Sequence, residues 1–319
     1  MADPDDSEGN HVREAVERSR HGAPAAGAVV RDRFSSDEIF QRILAAADEE
    51  IRVGKRELFF SGLAAGFAIT ITFLLYTAMT AKTGGDPVLS AILYPLGFVY
   101  IILGDYQLFT ENTLPPVALV LERLASVPAL LGIWGIVLAA NLVGGIAGAF
   151  FLSSTGVFTP EAAGVAAGFA EKAIDTAWWT LFAKAVFAGL IVAGVVWVDY
   201  ASRDTISRLV LVYVAFLAIP FGNLYHVVVS TTEMAYLVFQ GELALTVGVW
   251  EFVLPVLLGN SLGGVALVTV VNYFQTTERR VEAARSEDFK RQLSVRETLL
   301  GGFVGRSYVP IRGESEEGE

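Results

Sequence analysis

The stretch GDYQLFTENTLPP (Gly104–Pro116) decides the fold. An uncharged run, Pro87–Gly104, leads into it, and a short apolar piece, Asn112–Leu121, overlaps its end. Polar side chains and then two adjacent prolines, Pro115 and Pro116, therefore stand inside what would otherwise be one apolar helix. Proline in a helix interior removes a donor and clashes with the preceding turn. A second such place, IPFGNLYH (Ile219–His226), puts Pro220, Gly222 and Asn223 just before a histidine. Irregular backbone at membrane depth survives only when buried in protein or lining a wet cavity. The two interruptions thus predict two re-entrant elements that meet inside a bilayer.

The rest of the chain supports the bilayer. Of 319 residues, 53% are hydrophobic and 18% charged, with a mean hydropathy of +0.52. Soluble domains carry roughly 25% charge, so an ordinary soluble enzyme is excluded. The absence of cysteine removes thiolate nucleophiles and Cys-ligated metal sites. Three histidines, of which His11 and His21 lie in a polar tail, predict neither a metal site nor a cofactor. No HExxH signature is present, and no enzyme is expected.

Uncharged runs give six spans. These are Leu58–Ala81, Pro87 through the Gly104–Pro116 break, Leu124 to about Ser153, Thr176–Val198, Leu209–Thr232 and Phe252–Thr277. The second and fifth are the irregular ones. The chain divides into an N-terminal tail (1–57), a six-span domain (58–275) and a C-terminal tail (276–319). Of 34 acidic residues, 13 fall in the first tail and 9 in the last. Five lysines against 18 arginines, with such acidity, suggest adaptation to high salt; a pair of plain acidic tails is the alternative. Nucleic acid is a poor partner for such tails.

Basic residues set the orientation. Arg52, Lys55 and Arg56 precede the first span, Arg279, Arg280 and Arg285 follow the last, and Arg123, Arg203 and Arg208 lie in loops of that side. A multi-pass plasma-membrane protein with both termini cytoplasmic is expected, with no cleavable signal peptide in residues 1–35. Ser35 and Glu38 form a candidate capping box. Ile39, Ile43, Leu44 and Ala47 then make an amphipathic helix expected to lie under the membrane.

The motif NLVGG (Asn141–Gly145) recurs as NSLGG (Asn260–Gly264), an offset of 119. The same offset carries span one onto span four and Asp105–Asn112 onto Leu224–Thr231. Three spans per repeat force the halves to face opposite ways, the inverted-repeat plan of many transporters. Gly144 and Gly263 belong to GxxxG pairs that suit close helix packing, and Asn141 and Asn260 are expected to bond between helices.

The motif QLFTENT (Gln107–Thr113), the Asn-x-x-Gly-Gly pair and a lone histidine in the fifth span resemble the formate/nitrite transporter family, over about Arg52 to Gln275. The resemblance implies an all-α membrane protein with an aquaporin-like protomer, assembled as a homopentamer. Each protomer would then conduct a small monovalent anion or its conjugate acid. By the same resemblance Thr110 and His226 are the loop threonine and the central histidine, and Lys172 is a vestibule lysine. Gln107 stands where the family commonly has an acid, and Tyr225 and Ser230 stand where it has Glu and Asn.

An ionisable group inside a membrane is by default functional, and histidine exchanges protons near neutral pH. His226 is therefore the sharpest candidate, faced by Thr110, with Asn112 and Ser230 beside them. Phe109, Leu108, Leu93, Phe98, Phe216 and Phe221 are candidate apolar gates. Lys172 and Lys184 could attract anions. Glu111 and Glu233 pull the other way, and Glu233, seven residues after His226, could act on the histidine. Those carboxylates keep open a proton- or cation-coupled transporter, and the tails keep open a non-conducting sensor or scaffold.

Overall fold

The computed structural model describes residues 34–276 and 292–310. The basic cluster at Arg279, Arg280 and Arg285 and most of both acidic tails lie outside these residues. Every long element among those described is helical.

Helix α1, Ser36–Ile51, starts with the expected capping box: Ser35 Oγ accepts from the Glu38 amide and the Glu38 carboxylate accepts from the Ser35 amide. Its apolar face takes a different partner from the one its sequence suggested. Ile39, Phe40 and Ile43 are buried against Leu114, Ala118, Ala193 and Val268, so the stripe is covered by protein. An amphipathic period shows that a face is buried and not what buries it.

Helix α2, Lys55–Lys82, is the first span and begins three residues before the uncharged run. The second span breaks into α3, Pro87–Ala91, and α4, Leu96–Leu103, then an irregular loop with one 3₁₀ turn at Glu111–Thr113, and α5, Pro115–Leu121. Helix α6, Val127–Ser154, is the third span. Helix α7, Pro160–Ile174, was not evident as a helix from charge-free runs; Thr159 caps it and Lys172 sits on its last turn. Helix α8, Trp178–Ala201, is the fourth span. The fifth is α9, Thr205–Phe221, and α10, Val227–Gln240, with His226 as the extended N-cap of the second piece. The sixth, α11, runs Leu245–Gln275 with π-helical stretches at Gly248–Val253 and Gly263–Val270.

Four of these helices, α2, α6, α8 and α11, are long and apolar enough to cross a membrane. At 1.5 Å per residue, 28 residues reach about 42 Å, more than the roughly 30 Å of a hydrocarbon core. Outward residues are correspondingly apolar: Phe67, Leu131, Phe151, Trp179 and Phe187 are all more than half exposed or close to it.

The breaks repeat each other with an offset of 118. Gly104 and Asp105 correspond to Gly222 and Asn223, and both Asp105 (φ 56°) and Asn223 (φ 53°) turn the chain back in the left-handed region. Short polar residues tolerate that conformation better than branched ones. The offset of 119 holds for the Asn-Gly-Gly motifs, because Gly144 meets Leu63 O and Phe67 N while Gly263 meets Val186 O and Leu190 N. These contacts also show that the first spans pair at an offset of 123. Insertions between elements thus shift the register by one residue at the breaks and by four at the first spans.

Each repeat's asparagine closes its own break. Asn141 Nδ2 donates to Gly62 O (2.8 Å) and Gln107 O (2.9 Å), and its Oδ1 accepts from the Phe109 amide (2.8 Å). Asn260 does the same with Ala185 O, Tyr225 O and the Val227 amide. Both asparagines are fully buried. The glycines permit the approach: a Cβ on Gly66 or Gly189 would meet the backbone of Asn141 or Asn260 within 2.2 Å.

The C-terminal segment also packs on the helical body. Leu293 N bonds Arg123 O, Val309 N bonds Leu124 O and Ser126 N bonds Ser307 O. Tyr308 and Arg52 both engage the Asp48 carboxylate of α1.

Asn141→Ala should cost about 3 kcal/mol or more, because three buried backbone groups lose partners at about 1–3 kcal/mol each. Asn272→Ala, which removes one bond to Val268 O, should cost under about 1 kcal/mol. Thermal unfolding of the two purified variants in detergent measures the difference.

Candidate functional site

The two breaks meet through one polar contact. Thr110 Oγ1, from the loop between α4 and α5, lies 2.8 Å from His226 Nε2, at the start of α10. Both residues are 1% exposed. Thr113 Oγ1 donates to Thr110 O (2.8 Å), which fixes the loop backbone. Thr269 Oγ1, on α11, donates to Thr113 O (2.8 Å).

Apolar side chains enclose the pair. Phe98 stacks on Phe216 with ring centroids 3.8 Å apart and meets the His226 ring edge-on at 5.0 Å. Leu108 and Phe109 are buried in the same cluster, with Phe109 edge-on to Trp134. Leu93 is absent from that cluster, and Phe221 is 63% exposed, five residues past the buried Phe216 and so on another face of the helix. At the end of α9 the Phe221 side chain is exposed, whereas Phe216 stacks on Phe98, whose ring meets His226.

A cavity of about 500 Å³ reaches the pair from one side. Tyr76, Tyr94, Lys172, Asn223, His226, Ser230 and Glu233 are in its wall. Lys172 Nζ donates to Asn223 Oδ1 at 2.8 Å, so the left-handed turn that ends α9 also holds the ammonium at the cavity. Lys184 lies elsewhere, 5.7 Å over the Tyr225 ring, and is absent from the wall.

A second cavity, of about 820 Å³, lies beneath α1 on the face where α2 begins. Glu49, Glu50, Asp105, Gln107, Glu111 and Asn112 line it. Asn112 thus belongs to this mouth and not to the histidine: its Nδ2 donates to Gln107 Oε1 (2.8 Å), and its carbonyl accepts from Trp134 Nε1 (2.8 Å). No basic residue is among the lining side chains. Sequence spacing gave little sign of this acidic mouth, because its carboxylates come from α1 and from a loop more than 50 residues later. Burial of the Glu50 carboxyl pushes its pKa up from the ordinary 4.5 to about 7, with nearby Asp105 adding to the rise and the Gln107 and Asn112 amides opposing it.

The chain matches the family model described as formate/nitrite transporter over residues 37–274. It is 27% identical over 267 residues to the inner membrane protein YfdC of Escherichia coli (strain K12), spanning 79% of this chain and 86% of that protein. It is 25% identical over 158 residues to the formate channel FocA of Haemophilus influenzae, spanning 47% of this chain and 55% of that one. Among solved structures, an FNT family ion channel superposes with a TM-score of 0.70 at 20% identity, covering 75% of this chain and 99% of that one. A pentameric formate channel with formate bound superposes at 0.60 and 18% identity, covering 69% and 97%.

The raised Glu50 pKa has a sign. A carboxyl whose folded pKa exceeds its unfolded value destabilises the folded state as it ionises, so α1 docks most firmly below pH 4.5 and loosens as pH rises towards about 7. Amide exchange in residues 36–51, corrected for intrinsic rates, should be about ten- to a hundredfold faster at pH 8 than at pH 5. Glu50→Gln should remove most of that dependence.

Proposed function

The chain belongs to the formate/nitrite transporter family, and from that premise we propose that each protomer conducts a small monovalent anion, of the formate or nitrite class, largely as its protonated acid. The observation that carries this reading is the Thr110–His226 contact at the junction of the two breaks, enclosed by Phe98, Phe216, Leu108 and Phe109. The path has a cavity on each side of it.

The steps follow from charge and solvation. Lys172 raises the local concentration of anions in the smaller cavity. An unpaired ion then faces a desolvation cost of many kcal/mol in the apolar ring, which a neutral acid avoids. His226 is placed to exchange a proton with the weak acid, while the Thr110 hydroxyl offers a hydrogen bond to an oxygen of the substrate. The ring of Phe98 and Phe216 excludes the water that would otherwise carry bare ions through.

We further take the assembly to be a homopentamer with one pore per protomer. Both termini are placed in the cytoplasm, so the acidic mouth beneath α1 opens inward. The division into an N-terminal tail (1–57), a channel domain (58–275) and a C-terminal tail (276–319) belongs to the same reading. The protein transports and does not catalyse. A proton- or cation-coupled transporter is the second reading, favoured by one observation: the inner mouth is lined by Glu49, Glu50, Asp105 and Glu111.

His226→Phe should abolish the pH dependence of formate or nitrite flux in proteoliposomes or stop the flux, and an unchanged rate and profile would remove the histidine from the mechanism. Thr110→Val should lower flux about tenfold, the worth of one hydrogen bond of about 1.4 kcal/mol, with assembly intact by size-exclusion chromatography. Glu111→Gln separates the second reading: loss of cation flux with anion flux unchanged would favour it.

A further inference from the structure

The Thr110–His226 contact leaves a row of polar groups on α10 unexplained. His226, Ser230 and Glu233 stand at i, i+4 and i+7, which places them on one face of the helix. All three line the cavity of about 500 Å³. His226 and Ser230 are 1% exposed and Glu233 is 7% exposed. Neither His226 Nδ1 nor Ser230 Oγ has a hydrogen-bond partner. Glu233 makes no hydrogen bond or ion pair with any described residue. Buried polar groups are nearly always paired, so three unpaired ones in a single cavity wall call for a ligand or a moving proton.

The surroundings of Glu233 narrow the choice. Tyr76 of α2, Tyr94 between α3 and α4, and Tyr225 before His226 lie within its electrostatic reach. Lys172 of α7 shares the cavity, and its ammonium is bonded to Asn223. Helix α6, packed against α10, has no titratable side chain. Glu242, beyond the end of α10, and Glu251 of α11 are exposed and outside this wall. A permanent carboxylate with no cation bonded to it would oppose the anion that the cavity admits. A carboxyl that exchanges its proton would not.

We propose that Glu233 is the proton-exchanging acid of this cavity, feeding His226 through the Ser230 hydroxyl and cavity water. The Glu233 O–H bond breaks and an Nδ1–H bond forms on His226. The Nε2–H bond then breaks and an O–H bond forms on the anion. One proton moves in total from the carboxyl to the substrate, the His226 ring returns to its Nε2–H tautomer by exchange with cavity water, and the Glu233 carboxylate recovers a proton from the solution that fills the cavity. This rests on the weak-acid reading above and adds the source of the proton.

Formate flux into proteoliposomes, with a lumenal pH dye reading protons, tests it in wild type, Glu233→Gln, Glu233→Asp and Ser230→Ala. Glu233→Gln should lower flux about tenfold and flatten its pH profile, while Glu233→Asp keeps most of the rate with a displaced profile. Ser230→Ala should fall between them. An unchanged rate and profile in Glu233→Gln overturns the relay. An equal, pH-independent loss in the Gln and Asp variants also overturns it, since that marks a structural role. If Glu233→Gln is not monodisperse, Ser230→Ala decides by the same two outcomes. A wild type that moves no weak acid at any pH would instead overturn the weak-acid reading itself.

Discussion

A backbone cannot leave the helix inside hydrocarbon unless something takes the place of water, and here two asparagine side chains do so. Asn141 and Asn260 each bond two carbonyls and one amide, tying a broken span to the intact helix beside it. An unsatisfied amide in an apolar medium costs several kcal/mol, and three such groups per break would exceed what local packing restores. The glycines at 66 and 189 follow from the asparagines, since any side chain there would occupy the space of their backbone. The loops, the cavities and the Thr110–His226 contact exist because these two amides hold the interruptions open.

The two halves share a frame and differ in chemistry. Cross-packing is reciprocal: Gly145 lies against Thr232 and Gly264 against Thr113, so each repeat's glycine receives the other's threonine. At the breaks, however, the offset of 118 that relates Phe109 to Val227 sets His226 opposite Leu108. The junction of the two breaks therefore has one ionisable group rather than two. Its ends differ as well, with Lys172 at one mouth and only carboxylates at the other. A symmetric backbone with unsymmetric side chains gives the two directions of travel different electrostatic approaches while sharing one constriction.

The frame was legible in the sequence because its signals are local. Charge-free length, paired prolines, the recurring Asn-x-x-Gly-Gly and the capping box at Ser35 each depend on a few neighbouring residues, and each reappears as an element. What was not legible depends on distance along the chain. The acidic mouth assembles residues 49–50 with 105–112, the C-terminal segment pairs residue 309 with 124, and the apolar stripe of α1 finds helix where lipid was expected. Phe216 and Phe221 are five residues apart in one apolar helix, and composition alone does not tell which faces inward. The constant offset of 119 failed for a related reason: insertions between elements change register without disturbing the motif that reveals the repeat.

Magnitudes decide which species suits such a constriction. Moving a bare carboxylate into a low-dielectric zone costs several kcal/mol even after relaxation, and of order 20 kcal/mol in the idealised limit. A hydrogen bond to a charged group returns about 1.5–3 kcal/mol, and Thr110 with His226 supplies two at most. Protonating a carboxylic acid of pKa near 4 at pH 7 costs about 4 kcal/mol, three decades at 1.36 kcal/mol each. Set against the idealised penalty, of which two such bonds return about 6 kcal/mol at most, that cost is the smaller. An apolar ring broken by one polar pair is thus a poor site for an ion and a sufficient one for a neutral acid. In the proposed mechanism, the burial of Phe98, Phe216, Leu108 and Phe109 beside His226 disfavours the bare ion and leaves the protonated form as the species that crosses.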